Sequence, residues 1–332
     1  MQAILVVTFP FFALVLLGWW AAHRRWLPES AIAGLNGFVL FFALPCLLYR
    51  FGSSMPFAQL IDPVLVGLYL GCALLMVFFT IAVTWARHDP AEGVNLRDAA
   101  FGALVAAFPN TGFMGVPLLV ALLGDAAAGP VIGTVLVDLI LTSTLCLTIS
   151  QHHGDAPHPG DGLAADLRTL GRALRGAATN PLPWAIALGA ASAAGNLQLP
   201  GPLAQVVKML SDAASPVALF TIGAVLWRAG LHAHTRTPVA RYLPVALIKL
   251  VVHPLLVLSA GLLARAAGFE VPAFGLTAMV LAAALPSASS VSLLAERYGA
   301  DNGRVARIIL SSTALAFASF TLLAWGFGVR PA

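Results

Sequence analysis

Apolar runs of about 20 residues recur along this chain, and a bilayer is the solvent that imposes that length. At 1.5 Å per residue, a helix of that size crosses a hydrocarbon core of about 30 Å. The pattern predicts ten spans, at roughly 3–22, 31–50, 62–86, 98–123, 128–150, 180–196, 203–228, 239–265, 272–297 and 304–327. A water-soluble domain carries about 25% charged residues. Here 10% are charged and 59% hydrophobic, with a mean hydropathy of +0.89, too few charges to coat a globule in water. The first run starts at Ala3 with no basic segment before it, so it reads as a span and not as a cleaved signal. The predicted fold class is an all-α integral membrane protein with ten transmembrane helices.

The formal charge of +4 does not make this a nucleic-acid binder, because the arginines lie scattered between apolar runs. Their placement instead orients the chain. Arg24, Arg25, Arg87, Arg97, Arg168, Arg172, Arg175, Arg228, Arg236, Arg241, Arg297, Arg304 and Arg307 fall on one side of the alternation. Only Arg50, Arg265 and Arg330 fall on the other. Basic residues mark the cytoplasmic side. Both termini are therefore expected outside and the polar interval 151–179 in the cytoplasm, in a multi-pass membrane protein. Cys46, Cys72 and Cys146 lie inside apolar runs and read as packing residues. His152, His153 and His158 in the polar interval form a weak cluster, with no bound metal and no cofactor expected.

Five spans precede that interval and five follow it. An odd number per half makes the halves insert with opposite orientation, the inverted-repeat plan of secondary transporters. The division expected is a first repeat over 1–150, a linker over 151–179 and a second repeat over 180–332. Prolines support it: Pro45 and Pro216 lie in the second span of each half, Pro109 and Pro286 in the fourth.

Span four reads F-P-N-T-G-F-M-G-V-P-L from Phe108 to Leu118. Pro109 and Pro117 interrupt the hydrogen-bond ladder. Asn110 and Thr111 bring polar groups to the break, and Gly112 and Gly115 loosen the backbone. Span nine breaks at Pro286, followed by Ser287, Ser289 and Ser290. Backbone groups freed in hydrocarbon must meet protein, water or ligand. Two breaks meeting at the midplane would form one polar pocket whose half-helix amino ends favour an anion. These nine residues, Pro109 to Gly112, Gly115, Pro286, Ser287, Ser289 and Ser290, are the expected substrate site. The bland reading is a pair of kinks whose side chains bond their own backbone.

Asp138, Asp212 and Lys249 also fall inside spans, where charges are functional or paired. Asp138 is the deepest and the first candidate for proton coupling, with a structural ion pair or hydrogen bond as the alternative. Lys249 would complement an anionic substrate or pair with Asp138 or Asp212. His253, before Pro254, reads first as packing and second as a relay. Lys208 snorkels. Glu296 and Arg297 end span nine, with a solvated helix end as the first reading and a gate as the second. Gly67 and Gly71 form G-x-x-x-G, read as close helix packing.

The segment P-N-T-G-F-M-G-V-P-L (109–118) resembles the auxin efflux carrier family of bacterial and plant transporters. L-P-C-L-L (44–48), S-P-V-A-L-F-T-I-G (215–223), I-K-L-V-V-H-P-L (248–255) and the span-nine stretch extend the resemblance over the chain. It implies an architecture similar to bile-acid/sodium symporters, with broken spans four and nine crossing at Pro109 and Pro286. It also implies a scaffold of spans one, two, six and seven, a homodimer interface on that scaffold, and elevator-type alternating access. The bacterial members look like malonate or malate carriers. Ser287 follows Pro286 where plant members have Asn, which weakens indole-acetate as substrate. The function expected is secondary active transport of a small carboxylate, coupled to H+ or Na+. A sodium-coupled carrier of the bile-acid type is the alternative, and an intramembrane enzyme or a non-transporting receptor is the alternative of another class. The spans show no H-E-x-x-H and no G-x-S-x-G motif.

Overall fold

In the computed structural model, which describes residues 1–56, 60–85, 94–151, 171, 175, 178–231 and 237–331, the apolar runs are helices. They are α1 (Gln2–His23), α2 (Glu29–Ser54), α3 (Pro63–Trp85), α4 (Leu96–Ala107), α5 (Thr111–Leu123) and α6 (Asp125–Gln151). After the polar interval come α7 (Pro181–Ala194), α8 (Gly201–Leu231), α9 (Val239–Ala266), α10 (Ala273–Ala283), α11 (Ser290–Arg297) and α12 (Asn302–Gly326). Seven are long and apolar enough to cross a membrane: α1, α2, α3, α6, α8, α9 and α12. The expected spans 98–123 and 272–297 are each two short helices separated by a break. Among the described residues there is no β-strand, only one isolated bridge. His152, His153, His158, Arg87 and Arg236 lie outside the described residues.

The protein is a multi-pass membrane protein, and its surface shows it. Leu16, Leu17, Phe41, Phe42, Phe78, Leu188 and Leu263 are exposed, a rim that only lipid can solvate. The broken helices sit at the centre of the bundle. Every residue of α4 from Ala99 to Ala107 is buried, as expected of a helix apolar on all sides. On α10, Gly275, Leu276 and the run from Ala278 to Ala283 are likewise buried.

Helix starts are fixed by side chains. Asn95 Oδ1 accepts from Asp98 N at 2.8 Å at the start of α4, and Asp301 Oδ1 from Arg304 N at 2.9 Å at the start of α12. The two starts interlock. Asp98 Oδ1 accepts from Asp301 N at 2.7 Å, and buried Arg304 donates to the carbonyls of Asp98 (2.9 Å) and Arg241 (3.0 Å).

Two seams bring backbones into direct contact. At α1–α8, a Cβ on Gly18 would lie 1.8 Å from the Phe220 carbonyl oxygen, and one on Gly223 would lie 1.9 Å from that of Val15. At α2–α7, a Cβ on Gly189 would lie 2.5 Å from the Tyr49 carbonyl oxygen. The G-x-x-x-G of α3 is different. Gly67 and Gly71 are exposed and have nothing within 4 Å of a built Cβ, so that motif makes no close helix contact within the described chain.

Four turns of π-helix interrupt the helices, and three end two residues before a proline: Val39–Ala43 before Pro45, Thr111–Gly115 before Pro117, and Ile248–Val252 before Pro254. Proline lacks the donor and crowds the carbonyl four residues back, and the wider turn absorbs both defects. The fourth, Val137–Thr142 in α6, has no proline. There Ser143 Oγ donates to the Asp138 carbonyl at 2.8 Å.

Gly223→Ala is expected to lower the melting temperature in detergent, by a destabilisation of about 1–3 kcal/mol from overpacking the α1–α8 seam. Gly67→Ala should melt with the wild type. Thermal unfolding followed by size exclusion checks both; equal melting of all three proteins would contradict the seam.

Candidate functional site

Proline chemistry ends α4 and α10 within the bundle, and the two breaks meet. Phe108 and Pro109 leave α4 in extended conformation, and Pro109 pairs antiparallel with Ser287. Asn110 N donates to the Pro286 carbonyl at 2.8 Å, and Ala288 N donates to the Phe108 carbonyl at 3.0 Å. Neither proline is asked for the donor it lacks. Pro109 occupies the pair without mutual hydrogen bonds, and Pro286 only accepts. The register sets Pro109 opposite Ser287, one residue beyond Pro286.

The expected site residues sort onto different sides of this crossing. Pro109, Asn110, Gly112 and Ser290 line a cavity of about 430 Å³. Asn110 is only 3% exposed, and its carboxamide makes no hydrogen bond among the described residues. Gly112 has open space where a side chain would stand. Thr111 and Ser287 are buried away from the cavity, with Ser287 N donating to Ser312 Oγ at 3.2 Å. Gly115 packs against Leu285, whose Cδ1 would lie 2.6 Å from a Cβ there. Pro286 and Ser289 are buried and do not line the cavity. From the crossing the cavity follows α11 to Arg297 and Tyr298, and it also touches Asn36, Ser143 and Asn180.

Asp138 and Lys249 lie within one polar cluster, buried in the α3–α6–α9–α10 packing. Both are fully buried, as are Tyr69 and His253. Asp138 accepts from the Tyr69 hydroxyl at 3.0 Å and from Thr142 Oγ1 at 3.2 Å. Lys249 Nζ lies 3.0 Å from His253 Nδ1 and donates to the Ala283 carbonyl at 2.7 Å. The rings of Tyr69 and His253 are 5.8 Å apart and join the two halves of the cluster. Lys249 thus pairs with neither Asp138 nor Asp212; its partners are an imidazole and the last carbonyl of α10. Each charge sits on a π-turn, where the widened ladder brings the side chain and backbone out of ordinary helical register.

Asp212 stands apart. Half-exposed on α8, it pairs with Arg50 at 3.1 Å and with Lys208 at 2.7 Å. Among the described residues no group of three or more His, Cys, Asp or Glu side chains could hold a metal ion.

Sequence reasoning did not select Tyr69, Thr142 or Ser312. Tyr69 had a signal: it is one of 4 tyrosines in the chain and lies mid-span, where a hydroxyl needs a partner. Thr142, four residues after Asp138 on one helix, was also within reach of inspection. Nothing in the sequence marks Ser312 as the partner of a break 25 residues earlier.

Tyr69→Phe removes the donor to Asp138 Oδ2 and is expected to cost about 1–3 kcal/mol, the penalty for leaving a buried polar group without its partner. In the Asp138→Asn background the same change should cost measurably less. Melting of the four proteins of this cycle gives the coupling; additive losses would mean that the contact is not made.

The family model described as "Membrane transport protein" matches residues 3–324. A protein of Rhizobium meliloti (strain 1021) named "Putative malonate transporter" is 29% identical over 328 residues, covering 97% of this chain and 95% of its own. "Uncharacterized transporter YfdV" of Escherichia coli (strain K12) is 26% identical over 294 residues, covering 87% of this chain and 86% of its own. "Auxin efflux carrier component 7" of Arabidopsis thaliana is 24% identical over 162 residues, 46% of this chain and 24% of the plant protein. These families and relatives are transporters and not enzymes. With the model matched over nearly its whole length, the chain belongs to the membrane transport protein family of the auxin efflux carriers and is a membrane transporter.

Proposed function

We propose that this transporter is a secondary active carrier of small carboxylates such as malonate or malate, with the substrate held at the crossing of α4–α5 and α10–α11. The observation that carries the reading is the backbone bridge at Pro109 and Ser287 beside a cavity that the unpartnered Asn110 carboxamide lines. Gly112 and Phe113, in the first turn of α5, line the same cavity, and a helix amino end favours a carboxylate. The name of the Rhizobium meliloti relative points the same way.

The proposal takes the chain as ten spans, counting α4–α5 and α10–α11 as one each and α7 as a short one. The halves 1–150 and 180–332 are then inverted repeats of the bile-acid/sodium symporter type, and 151–179 is the cytoplasmic linker with both termini outside. Packing supports the repeat. Under it α1 corresponds to α7 and α2 to α8, so the glycine seams α1–α8 and α2–α7 are each other's mates. These four helices form the scaffold and the surface for a second copy. The remaining helices move past them as an elevator. Asp138, with Tyr69, His253 and Lys249, couples that movement to an ion, taken first as H+, with Na+ as the alternative.

Purified protein in liposomes should take up labelled malonate or malate when a proton gradient is imposed. Asn110→Ala should reduce the rate at least tenfold, and Asp138→Asn should leave residual flux that no longer follows the gradient. Stimulation by sodium alone would assign coupling to Na+. The absence of carboxylate flux under either gradient would rule out the carrier reading.

A further inference from the structure

We propose that Arg297 is the second anchor of a dicarboxylate and the residue that selects diacids over monoacids, an assignment that rests on the carboxylate-carrier reading. Among the described residues lining the cavity, Arg297 alone carries a charge, and no carboxylate lines it. The neighbouring acid is engaged elsewhere: Glu296 lies 3.8 Å from Arg228. No carboxylate of the described residues lies within 4 Å of the Arg297 guanidinium. The cavity therefore has a neutral donor end at the crossing and a cationic end at Arg297.

The distance between the two ends suits a short diacid. Ser290 and Arg297 stand at opposite ends of α11, seven residues and about 10 Å apart along its axis. Arg297 is exposed at the end of α11 and lines the same cavity. That separation leaves room for a compact molecule with carboxylates at both ends. Asn110, 97% buried and without a partner, together with the amino end of α5, receives one carboxylate. The fork of Arg297 receives the other in two parallel hydrogen bonds. A monocarboxylate fills only the crossing end and forgoes the charge-assisted contact with Arg297. This role is distinct from the solvated helix end or gate expected of Glu296 and Arg297 from sequence.

Binding of malonate and of acetate to the purified full-length protein, at one ionic strength, tests the assignment in wild type, Arg297→Gln and Arg297→Lys. The expected result is a malonate preference in wild type that Arg297→Gln abolishes, with malonate weakened about tenfold or more and acetate changed by less than twofold. Arg297→Lys should restore part of the malonate affinity, since it keeps the charge and loses the fork. Equal weakening of both ligands by Arg297→Gln, an unchanged malonate affinity, or a wild type indifferent between the two would each overturn the assignment while leaving a carboxylate carrier intact. A wild type that binds neither would overturn the carrier reading itself. Melting without ligand is measured for each variant; if Arg297→Gln alone melts early, the comparison of Arg297→Lys with wild type decides.

Discussion

A backbone carbonyl or amide without a partner in hydrocarbon costs several kcal/mol, and the centre of this protein is arranged around that cost. Two helices break inside the bundle, which strands polar groups on both. Each break supplies what the other lacks: Asn110 N meets the Pro286 carbonyl, and Ala288 N meets the Phe108 carbonyl. The bridge is thus a condition for the breaks to exist at membrane depth. It also fixes where the leftover groups point. Asn110, Gly112 and Phe113 are left lining the cavity, and Ser287 N is turned to Ser312 on α12.

The surrounding packing follows from the need to hold this crossing in place. From Ala99 to Ala107 all nine residues of α4 are buried and six are Ala or Gly, which lets neighbours approach from all directions. The interlock of Asp98, Asp301 and Arg304 ties its start to that of α12. The buried cluster reaches the crossing from the other broken span, because Lys249 donates to the carbonyl that ends α10. A change of charge or geometry at Asp138 has a physical route to the break: through Tyr69 and His253 to Lys249, and from Lys249 to Ala283. A carrier needs such a route if ion occupancy is to bias the position of its substrate site.

Much of this was legible in the sequence, for identifiable reasons. Run length and charge scarcity report the solvent, and apolar runs of this length in that solvent point to helices over barrel strands. The breaks were legible because proline and glycine act locally, whatever the tertiary context. The pairing of span four with span nine followed from their shared pattern, but the register did not: whether Pro109 faces Pro286 or Ser287 depends on how the half-helices approach. The same limit explains Gly67 and Gly71. A small-residue spacing states that a close approach is possible, and it does not say which approach occurs: Gly18 and Gly189 have an Ala four residues away and make close contacts, Gly223 makes one without such a neighbour, and Gly67 and Gly71 make none. Polar pairing was the least legible. Lys249 had two acidic candidates in the sequence and chose a histidine four residues away and a carbonyl.

The charges of the chain divide by what they face, and that division bears on the cargo. In the core, the two ionisable side chains Asp138 and Lys249 are each held by neutral partners and do not touch one another. At the interlock, Arg304 spends its donors on carbonyls and so serves packing. On α8, Asp212 is balanced by Arg50 and Lys208. Among the described residues lining the cavity, only Arg297 carries a charge, at the exposed end of α11. A cavity with that lining has an unbalanced positive charge and free donors at both ends, and an anion supplies the acceptors that both ends are missing. The proposed preference for an anion therefore rests on polar groups left over after the fold has satisfied its own, and not on the helix amino end alone.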